Sequence, residues 1–367
     1  HQINIRMFRP MESYQKYGGV LTFARSVGYA VVKKPEGYTT AKVDQIIQEY
    51  EKKSANEQQS TAKQYPNIIT VVNETFADIK VLGDFKTNED YMPYFHSLKK
   101  NCVTGYTYAS IVGGQTANTE FELLTGNTLG FLSAGTTAFQ LYIHGQMPSL
   151  VSNLKAEGYS GNKAMHPFNP YNYNRPAVYK DFGFTDFIDK FDFPKNVKRV
   201  REYISDEANV DRIISEYEKN RKKTDQPFYM YNMTIQNHSP YDKDAANFKQ
   251  PIKIESSKYD AEANRYLNLI KYSDDSLKQL TGYFEKCKEP TIILFLGDHQ
   301  PRLTDEFMNK ITNGQYQTWN SEQMMKRYQV PFVIWANYDI KEQHIEKTSM
   351  NYIQSILTKT AGVKMTG

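Results

Sequence analysis

Apolar runs that stop abruptly at polar residues constrain this chain most. "NIITVVNETF" (67–76), "PFYMYNMTIQNHSPY" (227–241), "TIILFLGDH" (291–299) and "VPFVIWANYD" (330–339) each hold β-branched or aromatic residues without polar alternation. A strand of that kind is buried on both faces, as in a parallel sheet covered by helices on either side. Helical patterns lie between these runs, at 92–101, 116–127, 147–161 and 261–287. In the last, Tyr266, Leu269, Tyr272, Leu277 and Leu280 form one apolar stripe that reads as core packing. Strands alternating with helices predict an α/β fold with a mostly parallel central sheet flanked by helices. Ligands bind such sheets beyond the carboxyl ends of the strands. The polar residues that close the apolar runs are therefore the first candidates for function.

Residues 1–65 read differently. "TTAKVDQIIQEYEKKSANEQQSTAKQYP" predicts a helix capped by Thr39 or Thr40, then a polar tail ending at Pro66. The expected organisation is a helical N-terminal arm or linker over 1–65 and a main domain over 66–367. With 40% hydrophobic and 23% charged residues, the chain is globular rather than disordered. The net charge of +4 is mild and no dense Lys/Arg block occurs, so no nucleic-acid partner is expected. The basic run "KNVKRVREY" (195–203) reads as a solvated helix face. No apolar run approaches the roughly 18 residues of a membrane helix. Cys102 and Cys287 make no disulfide framework; spacing alone allows them to pair, but they read rather as two buried free thiols. The Tyr, Phe, Asn and Lys load with few cysteines suits an exported protein of a low-GC Gram-positive bacterium.

Four places carry groups that can do chemistry. Glu74 follows the first apolar run, and alone it reads as a helix cap or a loop residue. Asp298 and His299 follow the third, with Gly297 before them to admit a close neighbour. Asp supplies hard oxygen and His borderline nitrogen, a pairing that suits a metal. Thr116 follows "GGQ" at the start of a helical pattern. There it reads as an N-cap, a role that Thr119 also fits, or as a group facing an anion at a helix N-terminus. A threonine hydroxyl is a poor nucleophile unless a base or a metal activates it. His238 alone reads as a loop histidine. Together, Glu74, Thr116, Asp298 and His299 offer three oxygens and one nitrogen from separate element ends. That set favours Mn²⁺ or Mg²⁺ over the thiolate-rich sites typical of Zn²⁺.

At these residues the chain resembles the extracellular catalytic domain of lipoteichoic acid synthase-like phosphoglycerol transferases, within the alkaline phosphatase/sulfatase superfamily. "NIITVVNETFAD", "GGQTANTEFELLTG", "MHPFNPYNYNRPAVYKDFGF", "TIQNHSPY" and "LGDHQP" occur in the family's order and span about four-fifths of the chain. The resemblance implies an alkaline phosphatase-like fold with Thr116 as nucleophile. It implies one Mn²⁺, with Mg²⁺ as substitute and Zn²⁺ less suited, held by Glu74, Thr116, Asp298 and His299. His166, Arg175 and His238 match substrate-site residues, and Tyr173 stands where the synthases tend to carry Trp. It further implies transfer of glycerol phosphate from a phosphatidylglycerol headgroup, through a phosphothreonine intermediate, to a cell-wall polysaccharide or growing teichoic acid. Such a domain is tethered to the cell membrane through segments outside this chain and faces the exterior. Phe168 stands where the polymerases often have Asp, and the chain lacks their longer C-terminal tail. These departures favour the relatives that decorate a wall glycan, such as a streptococcal rhamnose polysaccharide, over polymerisation.

Rival readings use the same scaffold. Sulfatases mature a Cys or Ser, whereas position 116 is Thr. Phosphoethanolamine transferases share the threonine but are disulfide-rich. A phosphodiesterase and an inactive wall-polymer-binding module complete the alternatives.

Overall fold

The computed structural model describes residues 10–29, 31–32, 34–57, 64–255 and 260–364. Among the described residues there are ten strands: β1 (Asn67–Asn73), β2 (Cys102–Tyr108), β3 (Ser160–Met165), β4 (Asp186–Ile188), β5 (Arg199–Val200), β6 (Tyr203–Ile204), β7 (Phe228–Met233), β8 (Thr291–Gly297), β9 (Gln329–Ala336) and β10 (Gln343–Ser349). Eight form one sheet in the order β10-β2-β9-β8-β1-β7-β3-β4, and β5 pairs with β6 as a separate hairpin. Within the sheet β9 alone runs against the rest, and β1 lies parallel to both β7 and β8.

The continuous apolar runs are explained by helices on both faces. Ile69, Val71, Ile293 and Phe295 point to one side, into a core shared with Ile213 and Tyr217 of the helix Asp206–Arg221 and with Leu269 and Leu277 of the helix Ala261–Phe284. Ile68, Val72, Ile292, Leu294 and Leu296 point to the other. They meet Leu123 of the helix Thr116–Thr125, Val151 of the helix Leu150–Ala156 and Leu357 of the helix Ile353–Ala361. Period-2 alternation across a two-sided core leaves few strand positions for a charged residue except at the ends. That is why the chemistry collects there.

Three readings need correction. The pattern over 147–161 contains a helix only from Leu150 to Ala156; Gly158 takes a positive φ and Ser160 starts β3. The run 195–203 is no helix face, since it holds β5, a turn at Arg201 and the start of β6. The strands β2, β3, β4 and β10 did not stand out as apolar runs. The arm contains the helices Pro10–Tyr17, Gly19–Tyr29 and Thr40–Glu57. Thr39 caps the third, its hydroxyl accepting the Lys42 amide at 3.1 Å. The polar tail after it falls largely on 58–63, outside the described residues. Cys102 and Cys287 are both free, the first buried and the second half-buried. Among the described residues no helix is long and apolar enough to cross a membrane.

The loop after β1 is pinned by a histidine. His96 Nδ1 lies 2.8 Å from Asp90 and Nε2 lies 3.6 Å from Asp78. Asp78 also accepts the Tyr91 and Tyr106 hydroxyls and the Lys80 amide. The two carboxylates, Asp78 foremost, raise the imidazole to about 9 against the opposing effect of burial. A group whose folded pKa is raised stabilises fully below its unfolded value, near 6.5, and loses that effect as pH rises through the folded one. Denaturant unfolding should therefore show wild type losing an increment of stability between about pH 6.5 and 9 that His96→Ala lacks. Parallel pH profiles for the two proteins would count against this.

Candidate active site

Glu74 follows the last residue of β1, and Asp298 and His299 follow the last residue of β8, its parallel neighbour. Asn73 and Gly297 are register partners, so the three side chains start from adjacent strand ends. Their approach requires Gly297: a Cβ there would sit 1.8 Å from the Phe76 carbonyl oxygen. The close neighbour admitted by this glycine is the loop that carries Glu74 itself. Thr75, with φ at +54°, turns that loop and donates its amide to Asp298 Oδ1 at 2.6 Å and its hydroxyl to Glu74 Oε1 at 2.8 Å.

All three groups are buried, with 3% or less of each exposed. His299 Nε2 lies 3.2 Å from Asp298 Oδ2 and 3.8 Å from Glu74 Oε1. The other ring nitrogen, Nδ1, is 3.0 Å from the Gln300 carbonyl. A carbonyl only accepts, so Nδ1 carries a hydrogen, and Nε2 is the ring nitrogen that faces the two carboxylates. Asp298 Oδ2 and His299 Nε2 make no hydrogen bond, though both are fully enclosed. Burial, and then the charge of Asp298, push the Glu74 carboxyl up to about 8. Orphaned polar atoms converging in a buried anionic pocket fit a divalent cation, and the ligand atoms of the three residues lie within 4.8 Å of one another. The donor set is oxygen-rich, which suits Mn²⁺ or Mg²⁺.

Above this cluster lies a cavity of about 360 Å³, whose walls include Glu74, Thr116, His166, Tyr173, Arg175 and His238. Phe168 lines it too, as do Gln140 and Asn172. Thr116 is the first residue of its helix. Gly114, at φ +140°, and Gln115, at φ +67°, swing the chain sharply into it. The cap readings are corrected here. Gln115 occupies the cap position and its side chain makes no capping bond. Thr119 instead donates its hydroxyl to the Asp298 carbonyl at 2.8 Å, tying the helix to the end of β8. The Thr116 hydroxyl is left without a hydrogen-bond partner among the described residues, at a helix end whose amides favour an anion.

Arg175 begins the helix Arg175–Asp181, after Tyr173 and Asn174 both adopt positive φ. It is only 1% exposed, yet it borders the cavity. Its partner escaped sequence reasoning. Glu120, one helical turn after Thr116, accepts Arg175 Nε at 3.1 Å and Nη2 at 2.6 Å on one oxygen. The other oxygen accepts the hydroxyls of Tyr179 and Tyr231. Burial works against the guanidinium charge, but Glu120 and these tyrosines raise Arg175 above its ordinary value. His166 donates Nδ1–H to the Met233 carbonyl at 3.0 Å. Burial, and then Arg175, hold its pKa well below the usual imidazole range. It is therefore neutral, with Nε2 available as an acceptor. His238 Nδ1 lies 2.7 Å from the Ser239 carbonyl, and its ring stacks on Phe168 at 6.3 Å.

The arrangement brings a hydroxyl at an anion-friendly helix end, one edge of a buried acid–histidine cluster that fits a cation, and a fixed guanidinium to one cavity. That is equipment for displacement at phosphorus or sulfur. Comparison with known proteins points the same way. The sequence profile of the family described as Sulfatase matches residues 66–363. A putative cyclic beta-1,2-glucan modification protein of Rhizobium meliloti is 32% identical over 364 residues, covering 97% of this chain and 54% of that protein. The chain thus spans about half of that relative's length. Among solved structures, the Streptococcus pyogenes phosphoglycerol transferase GacH, in complex with sn-glycerol-1-phosphate, superposes with a TM-score of 0.74 at 19% identity, covering 91% of this chain and 85% of that one. The lipoteichoic acid synthase LtaP from Listeria monocytogenes gives 0.65 at 23%, covering 82% and 73%. At these identities the structural likeness concerns the fold.

Proposed function

The chain belongs to the sulfatase family of enzymes, and from that premise we propose that it is a metal-dependent phosphoglycerol transferase. The observation that carries this reading is the uncapped Thr116 hydroxyl, which shares one cavity with Glu74 of the buried Glu74–Asp298–His299 cluster. The superposable transferase that holds sn-glycerol-1-phosphate supports glycerol phosphate as the transferred group. The glucan-modifying relative supports a glycan as acceptor. The donor in this reading is the phosphatidylglycerol headgroup, with a tether from beyond these residues keeping the domain outside the membrane surface.

Glu74, Asp298 and His299, with the Thr116 oxygen, would hold the cation. When bound, it lowers the pKa of a neighbouring hydroxyl and neutralises phosphate charge. Thr116 Oγ1 attacks phosphorus, and the bond to the diacylglycerol oxygen breaks. The hydroxyl proton passes to solvent or a cavity base, and diacylglycerol leaves with a proton, giving glycerophospho-threonine. Arg175 presents its remaining donors to the phosphoryl oxygens, held in place by Glu120. His166, neutral with Nε2 free, accepts from a glycerol hydroxyl, and so orients the group rather than protonating it. His238 lines the cavity where an acceptor hydroxyl loses its proton and attacks phosphorus; the bond to Thr116 Oγ1 breaks, and that oxygen regains a proton as the free hydroxyl.

The test is turnover of fluorescent phosphatidylglycerol by chelator-stripped protein before and after Mn²⁺ addition, with mass spectrometry of the trapped peptide. We expect diacylglycerol only with metal, and a glycerophosphoryl adduct on Thr116. An ethanolamine phosphate adduct would select the phosphoethanolamine alternative. Chelator-insensitive turnover would overturn the metal role.

A further inference from the structure

We propose that the cleft between the turn Lys190–Asp192 and the hairpin β5–β6 is the acceptor subsite and binds neutral pyranose rings; this rests on the glycan-acceptor reading above. The cleft encloses about 380 Å³, and its walls include Phe168, Lys190, Phe191, Arg199, Glu202 and Tyr203. Phe168 lines the reaction cavity as well, so the two spaces share a wall. A glycan seated in the cleft would have hydroxyls within reach of the phosphorylated residue.

A pyranose offers an apolar C–H face and a rim of hydroxyls. It therefore needs an aromatic surface bordered by donors and acceptors of both kinds. The cleft has that composition. Phe191 leaves 74% of its surface exposed, a large ring that core packing does not account for. The Lys190 ammonium lies 4.9 Å from the centre of the Phe191 ring and 5.9 Å from that of Phe168. Arg199 Nη1 donates to the Glu202 carbonyl at 3.0 Å, which orients the guanidinium along the hairpin. Glu202 places a carboxylate among these cations. A carboxylate there repels a polyanionic phosphate chain but accepts from sugar hydroxyls, and so favours a neutral glycan.

The cleft is held rigid. Asp189 and Asp192 brace the turn reciprocally, the Asp189 side chain accepting the Phe191 amide at 2.7 Å and Asp192 accepting the Asp189 amide at 2.9 Å. Arg201, at φ +55° in the hairpin turn, donates to the carbonyls of Pro240 at 2.7 Å and of Gln236 and His238 at 2.8 Å each. This clamp fixes the hairpin to the loop that carries His238. Tyr203 reaches back, its hydroxyl 3.4 Å from His238 Nδ1 and its ring 6.0 Å from that of Phe168. The subsite and the reaction cavity thus form one preformed surface, with little ordering cost on binding.

The test is binding of β-1,2-linked gluco-oligosaccharides to the full chain, read by saturation-transfer NMR and calorimetry. Wild type should bind, with ring protons in contact with protein. Phe191→Ala should weaken binding about tenfold, the worth of one stacked face, and Phe191→Ala/Arg199→Ala should abolish it. Both positions are exposed, and circular dichroism will verify that the variants fold. Absence of binding by wild type, or affinity unchanged in the double variant, would overturn the assignment. Lipid turnover by wild type is read separately, so a failed transferase reading and a failed subsite give different results.

Discussion

Thr116→Ala should cut phosphatidylglycerol turnover at least about 10³-fold, because the substitution removes the oxygen that attacks phosphorus in the proposed transfer. Asp298 and His299 are buried beneath, and their unbonded Oδ2 and Nε2 face each other in the cation pocket. Arg175 cannot act as a nucleophile, and the single free nitrogen of His166 lies in a buried, hydrogen-bonded ring. Thr116→Ser keeps the hydroxyl and loses only a methyl, so it should retain a measurable fraction of the rate and still form the adduct. The alanine protein should unfold at nearly the wild-type denaturant concentration, since the Thr116 side chain makes no hydrogen bond among the described residues. A rate for Thr116→Ala within tenfold of wild type would remove the residue from the chemistry.

How much of this was legible beforehand follows from where each residue sits. β1 and β8 announce themselves because burial on both faces forces five consecutive β-branched or apolar positions. β3, "SGNKAM", and β10, "QHIEKTS", do not. β10 is an edge strand with most side chains in solvent, so nothing requires it to be apolar. The basic run at 195–203 misled for a related reason. Charge density marks solvent but not the secondary structure beneath it, and a two-residue strand has no period to detect. The candidate ligands were legible because a polar residue that closes an apolar strand is conspicuous. Glu120 was not: glutamate is an ordinary helix former, and its partner Arg175 is 55 residues away. Its clearest local sign is a charged residue one turn after Thr116, next to Phe121. Arg201 likewise looked like one cation among many until its three carbonyl partners were visible.

Glu120 therefore carries the second large expectation. Glu120→Ala should destabilise the fold by about 3–5 kcal/mol, the usual cost of leaving one member of a buried ion pair alone. The deletion strands a guanidinium that is 1% exposed and deprives the Tyr179 and Tyr231 hydroxyls of their acceptor. Without its partner, Arg175 should also abandon the cavity wall, so the residual folded protein should lose glycerol phosphate binding. Glu120→Gln keeps the volume and one accepting oxygen but not the charge. It should fall between the two in stability while weakening binding less than alanine does. Arg175→Lys should not rescue function, because a point charge cannot reproduce the forked contact with Glu120 and still face the phosphate. Chemical denaturation with calorimetric titration of sn-glycerol-1-phosphate measures both quantities. A Glu120→Ala protein less than about 1 kcal/mol below wild type, with binding intact, would mean that Arg175 is positioned by the backbone of its own helix and not by this carboxylate.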